Sequence, residues 1–355
     1  MDTLTHALSG MLVARSTQRQ KPNAEHGLSL RSRMATGFLA SAFPDIDFIF
    51  WFFGDLSYLN NHRGLTHSII MLPIWALLLA YAFAWLWRGR YGWREFYAVS
   101  AMGIGIHILG DIITAYGTMI LAPFSMARFS LPTTFILDPW FSGIILLALL
   151  LAWGFKQQAR QIAIIGLLTL FTFVGYQGYL HQQAFNIAEA YRTRQGWEHA
   201  QVHVLPMFLS PYHWKLVVSH KDQYHVAYVN IIKKEIQHTP HSSESGFISQ
   251  VRAYFKPVTQ LTWLVHDRYG KQTDTQALAK TIWTLDMFRD IRHFMQFPAL
   301  DRIEQRAEGI CGVFIDHRFV VDGMRTPPFQ FGACQNRQQR WQLYRFKAGK
   351  GTLLK

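Results

Sequence analysis

The chain has 355 residues, of which 50% are hydrophobic, 15% aromatic and 16% charged, with a formal net charge of +13. So apolar a composition excludes a disordered chain and argues for a membrane protein with a separate polar part. Twelve of the 35 Lys and Arg and eight of the 22 Asp and Glu fall in the first 180 residues, so the basic excess lies mostly in the tail.

The opening MDTLTHALSGMLVA is mildly apolar, starts with an acid, and has neither a basic leader nor a clear cleavage site, so it reads as an apolar helix rather than a signal peptide. Five longer apolar stretches follow: Met34 to Phe53, Ile69 to Trp87, Tyr97 to Leu121, Pro139 to Phe155 and Ile162 to Leu180. Each is close to the ~20 apolar residues that cross a hydrocarbon core of about 30 Å. The predicted fold is an α-helical polytopic membrane domain over 1–180, with five long spans plus the N-terminal apolar helix. A soluble α+β, β-rich domain over 181–355 follows it. The strand-like runs of that tail are KLVVS, YHVAYVNII, LTWLVHDRY, VFIDHRFVV and WQLYRF, and residues 275–297 read as helix.

Basic residues set an orientation. Arg15, Arg19, Lys21, Arg31 and Arg33 precede the first long span, Arg88, Arg90 and Arg94 follow the second, and Lys156 and Arg160 follow the fourth. The positive-inside bias assigns these to the cytoplasm. The connections 54–68 and 122–138 carry only Arg63 and Arg128, so they and the tail are expected outside, in the periplasm. Cys311 and Cys334 both lie in the tail, where an oxidising compartment lets them pair; two buried free thiols account for them equally well.

Ionisable groups inside apolar stretches are costly and mark functional sites. Asp2 with His6, and His107 with Asp111, are spaced four apart and therefore share a helix face. Asp45 and Asp47 are two apart, which splits them on an unbroken α-helix; Pro44 disfavours helix there, so local unwinding is expected to turn both inward. Counting helical rise from the cytoplasmic ends puts His6, Asp45 and His107 at about 12, 16 and 15 Å, and Asp2 and Asp111 near 18 and 21 Å. The connection NHRGLTHS adds His62, Arg63 and His67, although simple rise leaves His67 roughly 10 Å above His107 unless the connection dips inward or the spans tilt.

Together D-x-x-T-H (Asp2–His6), P-D-x-D (Pro44–Asp47), H-R-G-x-T-H-S (His62–Ser68) and H-x-x-x-D-x-x-T-x-Y-G (His107–Gly117) resemble the YdjM-type family of inner-membrane metal-dependent hydrolases. The motifs occupy roughly the first 125 residues. The tail segments LSPYHWKLVV, YHVAYVNI, FMQFPAL and VFIDHRFV also look like the soluble domain of larger members. A fainter likeness, at motif level only, is to zinc-dependent phospholipases C. The resemblance implies metal ligation by His6, Asp45, Asp47, His62, His67, His107 and Asp111. It makes Asp2 the partner that orients His6 and gives Arg63 an anion-neutralising role, with Thr114 and Tyr116 as hydrogen-bond donors.

The expected cofactor is one to three divalent ions, zinc favoured and manganese or magnesium the alternatives, since imidazole favours zinc and carboxylate the harder ions. The expected activity is hydrolysis of a phosphoester on a lipid or lipid-linked substrate at the inner membrane. Two rivals use the same residues differently: a non-enzymatic metal-binding or transport protein, and a membrane-anchored interaction platform. A transporter needs access from both sides and an internal repeat, which the sequence lacks. The tail's basic surface reads as a solvated face, no nucleic-acid partner is expected, and no oligomeric state follows. A nucleotide-binding Gly-rich loop, G-x-S-x-G and H-E-x-x-H are absent.

Overall fold

The computed structural model describes residues 1–18, 27–234, 253–321 and 327–354. Arg19 and Lys21, two of the orienting cations, lie outside the described residues. The chain forms two compact units. One comprises Met1–Ile49, Asn61–His181 and Pro206–Pro211, and the other Phe50–Asn60, Gln182–Leu205 and Tyr212–Lys355.

The helical part begins with α1 (Thr3–Ser16), capped by the Asp2 carboxylate accepting from the Thr5 amide at 2.9 Å. Next comes α2 (Leu30–Ala42), capped by Ser29, and a 3-10 helix over Phe43–Phe53. Helix α3 (Asp55–Asn61), a 3-10 turn at Leu65–His67, α4 (Leu72–Leu86) and α5 (Trp93–Ile112) follow. The set ends with α6 (Pro139–Gly154) and α7 (Ala159–Arg194). Helices α1, α2 and α5 pack together, and small residues let them approach. A Cβ at Gly10 would sit 2.2 Å from the Gly37 carbonyl oxygen, and one at Gly37 would sit 2.5 Å from that of Gly10. Backbones in such contact exchange side-chain bulk for close van der Waals packing.

The five long spans of the sequence reading are not formed. Two stretches are long and apolar enough to cross a membrane, Leu30–Phe53 with 24 residues and Ala159–Arg194 with 36. A third is added if Asp55–His67 and Leu72–Leu86, bent by 81°, are taken together. The stretch Ile69 to Trp87 opens as a turn, leaving a 15-residue helix. In Tyr97 to Leu121 the helix ends at Ile112. Gly117 then adopts a φ of +89°, and Thr118 bridges antiparallel to Phe129. Helix α6 has 16 residues, about 24 Å by helical rise and short of a full crossing. Hydropathy scores a folded-back apolar segment as it would a continuing helix, which is why the count came out high.

The second unit is β-rich. Strands β1 (Gln201–Pro206), β2 (His213–His220), β3 (Gln223–Asn230) and β4 (Leu264–Asp267) form one sheet in that order. Strands β5 (Pro298–Arg306), β6 (Gly309–Asp316), β7 (Gln330–Gln335), β8 (Trp341–Lys347) and β9 (Lys350–Leu353) form an antiparallel meander. Cys311 faces Cys334 across β6 and β7, and the two are joined in a disulfide. Residues 275–297 are not one helix. Helix α8 (Thr273–Thr284) is followed by a 3-10 turn and α9 (Arg289–Phe294), and the Arg292 guanidinium donates to the carbonyls of Trp283 and Leu285 at the break. Lys215 is buried but satisfied, its Nζ donating to the carbonyls of His317 at 2.6 Å and Val320 at 2.7 Å. The loop Phe50–Asn60 is anchored within this unit. Arg345 pairs with Asp55 and lies over the Trp51 ring, and Asn60 Nδ2 donates to Asp290 at 2.8 Å.

Gly37→Val inserts bulk where the α1 and α2 backbones touch. Overpacking of this kind costs about 1–3 kcal/mol or more, so the variant is expected to melt earlier in detergent than Gly175→Ala, where a Cβ meets nothing within 4 Å. Equal melting temperatures would refute the close helix contact.

Candidate metal centre

Local structure brings the motifs together in three steps. The first is the 3-10 helix after α2. With about three residues per turn, positions i and i+2 lie about 120° apart rather than on nearly opposite sides. Asp45 and Asp47 are accordingly both buried, at 7% and 1% exposure, while the intervening Ile46 is 56% exposed. The second is the turn after α3. Arg63 has a φ of +58°, and its amide donates to Asp47 Oδ2 at 2.8 Å. The chain then folds back and brings His67 to His107. Ser68 closes the turn, its hydroxyl accepting from the amides of Ile70 and Met71 ahead of α4. The third is the α1–α5 contact, which stacks His6 on His107 with ring centroids 3.7 Å apart.

Four donor atoms then converge. His67 Nε2 and His107 Nε2 are 3.0 Å apart. Asp45 Oδ1 is 3.7 Å from each of them, and Asp111 Oδ2 is 3.3 Å from His67 and 3.5 Å from His107. His6 Nε2 joins through Asp111 Oδ1 at 3.0 Å. Two ligand triads result, His6/His107/Asp111 and Asp45/His67/His107, both fully buried and sharing His107.

Tautomers follow from the outer partners. The Ser41 carbonyl can only accept, so His107 donates to it through Nδ1 at 2.6 Å and keeps the lone pair on Nε2. His67 turns Nδ1 toward Thr66 Oγ1 at 3.0 Å and the Asp47 carboxylate at 3.3 Å, and as a metal ligand it would present the lone pair of Nε2. The two Nε2 atoms, 3.0 Å apart, need a positive charge between them, a shared proton or a metal ion. Beside them Asp111 Oδ2 is buried and has no hydrogen-bond partner among the described residues. Donors held 2.0–2.1 Å from a tetrahedral cation stand about 3.3 Å from one another, within the range seen here. The residues present therefore fit a divalent cation.

Around these donors lies a ring of supports. Asp47 accepts from His62 Nδ1 at 2.9 Å, from the Arg63 amide and from Thr66, so Asp47 and His62 stand beside the triads rather than in them. Thr3 donates to Asp45 at 2.5 Å. Arg63 pairs with Asp111 Oδ1 at 3.0 Å, donates to Thr114 at 2.8 Å and lies 4.8 Å over the Tyr116 ring. The Met1 amino group also contacts Asp111. Asp2 caps α1, and the carboxylate that meets the His6 ring is Asp111. Sequence reading missed Ser41, which accepts from His107 and donates to the His6 carbonyl at 2.7 Å, together with the contact of Thr3. Ser41 has no sequence signal, because an apolar helix accommodates a serine without comment.

Metal content tests the arrangement. His107→Ala removes the donor that both triads share and Asp111→Asn the carboxylate of the first, and each is expected to abolish stoichiometric zinc on elemental analysis. Asp47→Asn, which removes a support, is expected to weaken affinity about 10–100-fold. Unchanged metal in Asp111→Asn would eliminate this centre.

Comparison with known proteins places this geometry in a family. The sequence profile described as "YdjM inner membrane protein" matches residues 1–184, more than half the chain and all the convergent residues. An uncharacterized protein of Bacillus subtilis (strain 168), YfhP, is 28% identical over 140 residues. That alignment covers 39% of this chain and 42% of the relative, so the chain spans less than half the length of that relative. No solved structure matches.

Proposed function

The chain belongs to the YdjM inner membrane protein family, and on that footing we propose that it is a metal-dependent hydrolase of a phosphoester carried by a lipid or lipid-linked molecule. The observation that carries this reading is the buried, unpartnered Asp111 Oδ2 set against the facing Nε2 atoms of His67 and His107.

His6, Asp45, His67, His107 and Asp111 hold the metal, which when bound supplies an activated water and polarises a phosphoryl oxygen. The protein's own groups do the rest. Asp47 holds His67 and His62 in place and fixes the Arg63 amide. Arg63, kept close by Asp111 and Thr114, brings positive charge to where an anionic group must approach, and its buried Nε has no partner among the described residues. Asp45 at 7% and His62 at 6% are the most exposed of the seven predicted ligands, so access is from their side. Near them, exposed apolar residues Phe48, Ile49 and Leu65 suit an amphiphile better than a soluble metabolite.

The finer localisation is part of the same proposal. Arg15, Arg31, Lys156 and Arg160 gather where α1 and α6 end and α2 and α7 begin, and the positive-inside bias puts that end in the cytoplasm. Helix α7 crosses away from it, so the tail emerges in the periplasm, where the Cys311–Cys334 disulfide is favoured.

Purified protein is expected to release phosphate from lipid phosphomonoesters or diesters, to stop under chelation and to recover with zinc, while His107→Ala falls by at least about 100-fold. Turnover indifferent to chelator would overturn the hydrolase reading. External protease on intact spheroplasts is expected to digest the tail; protection until lysis would reverse the orientation.

A further inference from the structure

At the end of the first unit remote from the metal centre lies a cavity of about 610 Å³ whose lining includes Arg15, Arg31, Met34, Trp153, Lys156 and Arg160. Its cations come from the end of α1 (Arg15), the start of α2 (Arg31), the connection between α6 and α7 (Lys156) and the start of α7 (Arg160). Among the described residues no carboxylate lines it, and none of these four cations pairs with an acid. The positive-inside bias accounts for solvated cations at such a position, but it does not account for Arg15, which is only 9% exposed.

Burial of an uncompensated guanidinium is costly. The contacts that Arg15 and Arg160 make are neutral: Arg15 NH1 donates to the Gln18 side chain, and Arg160 Nε to the Ser16 carbonyl at 3.2 Å. The remaining lining is mixed: Gln157 and Gln161 add neutral polar groups, and Met34, Leu149 and Trp153 form an apolar wall, with Trp153 77% exposed as befits a side chain at a headgroup boundary. Cations and an apolar wall in one cavity match a phosphate joined to a glycerol backbone and acyl chains.

We propose that this cavity binds the headgroup of an anionic phospholipid from the leaflet at the cytoplasmic end of the unit. The chemistry recognised is a phosphodiester of net negative charge, and the apolar wall makes a lipid its source rather than free phosphate. This site is independent of the metal centre and of whether the protein is a hydrolase.

Native mass spectrometry of the full chain in detergent, delipidated and then supplied with defined lipids, tests it. Wild type is expected to retain phosphatidylglycerol over phosphatidylethanolamine, with neither inorganic phosphate nor glycerol 3-phosphate at millimolar concentration displacing it. The exposed pair Arg31→Gln/Lys156→Gln is expected to lose retention about thirtyfold, at about 1 kcal/mol per charge, with metal content unchanged as the check on folding. Arg15→Gln is expected to act in the same direction. Equal retention of the two lipids, or undiminished retention of phosphatidylglycerol by the double variant, would overturn the proposal. Binding of free phosphate in place of lipid would overturn it too.

Discussion

Buried negative charge is the constraint on which the first unit turns. Asp45, Asp47 and Asp111 are 7%, 1% and 1% exposed, and an isolated buried ion costs several kcal/mol even after relaxation. A domain whose net stability is about 5–15 kcal/mol cannot carry three of them uncompensated. Each is therefore tied to a positive or donating group from a different part of the chain: Asp47 to the turn at His62–Thr66, Asp111 to Arg63 and α1, and Asp45 to Thr3. Asp111 Oδ2 has no hydrogen-bond partner among the described residues, and it lies 3.3 Å and 3.5 Å from the Nε2 atoms of His67 and His107. The packing of α1, α2 and α5 follows from the need to bring those groups within reach, and the small residues Gly10 and Gly37 permit it.

That convergence was legible in the sequence because polar residues in apolar surroundings are rare and their spacing carries geometry. The pair His107 and Asp111 on one helix face, and the unwinding at Pro44, could both be read from residue type alone. Ser41 and Thr3 could not, since a hydroxyl reveals its partner only once helices are packed. Span count failed for a related reason. Hydropathy measures what a stretch is made of, and the residues after Ile112 and before Leu72 are apolar because they fold back over the centre rather than because they extend a helix. In the tail, the β-rich character came through from alternating β-branched and aromatic runs. The break between α8 and α9 did not, because Trp283 and Phe288 both pack on Phe314 and helical spacing persists across the interruption.

The loop Phe50–Asn60 joins these observations. It leaves the first unit at Phe50, three residues after Asp47, and re-enters at Asn61, one residue before His62, yet its own anchors, Arg345 and Asp290, belong to the second unit. Its first residues, up to Phe53, fall in a stretch read from sequence as a span, and the rest in an outward connection. Phe52 and Phe53 are indeed 89% and 72% exposed, while Asp55 and Asn60 make the fixed polar contacts. A strand of chain pinned at both ends has less freedom than a surface loop.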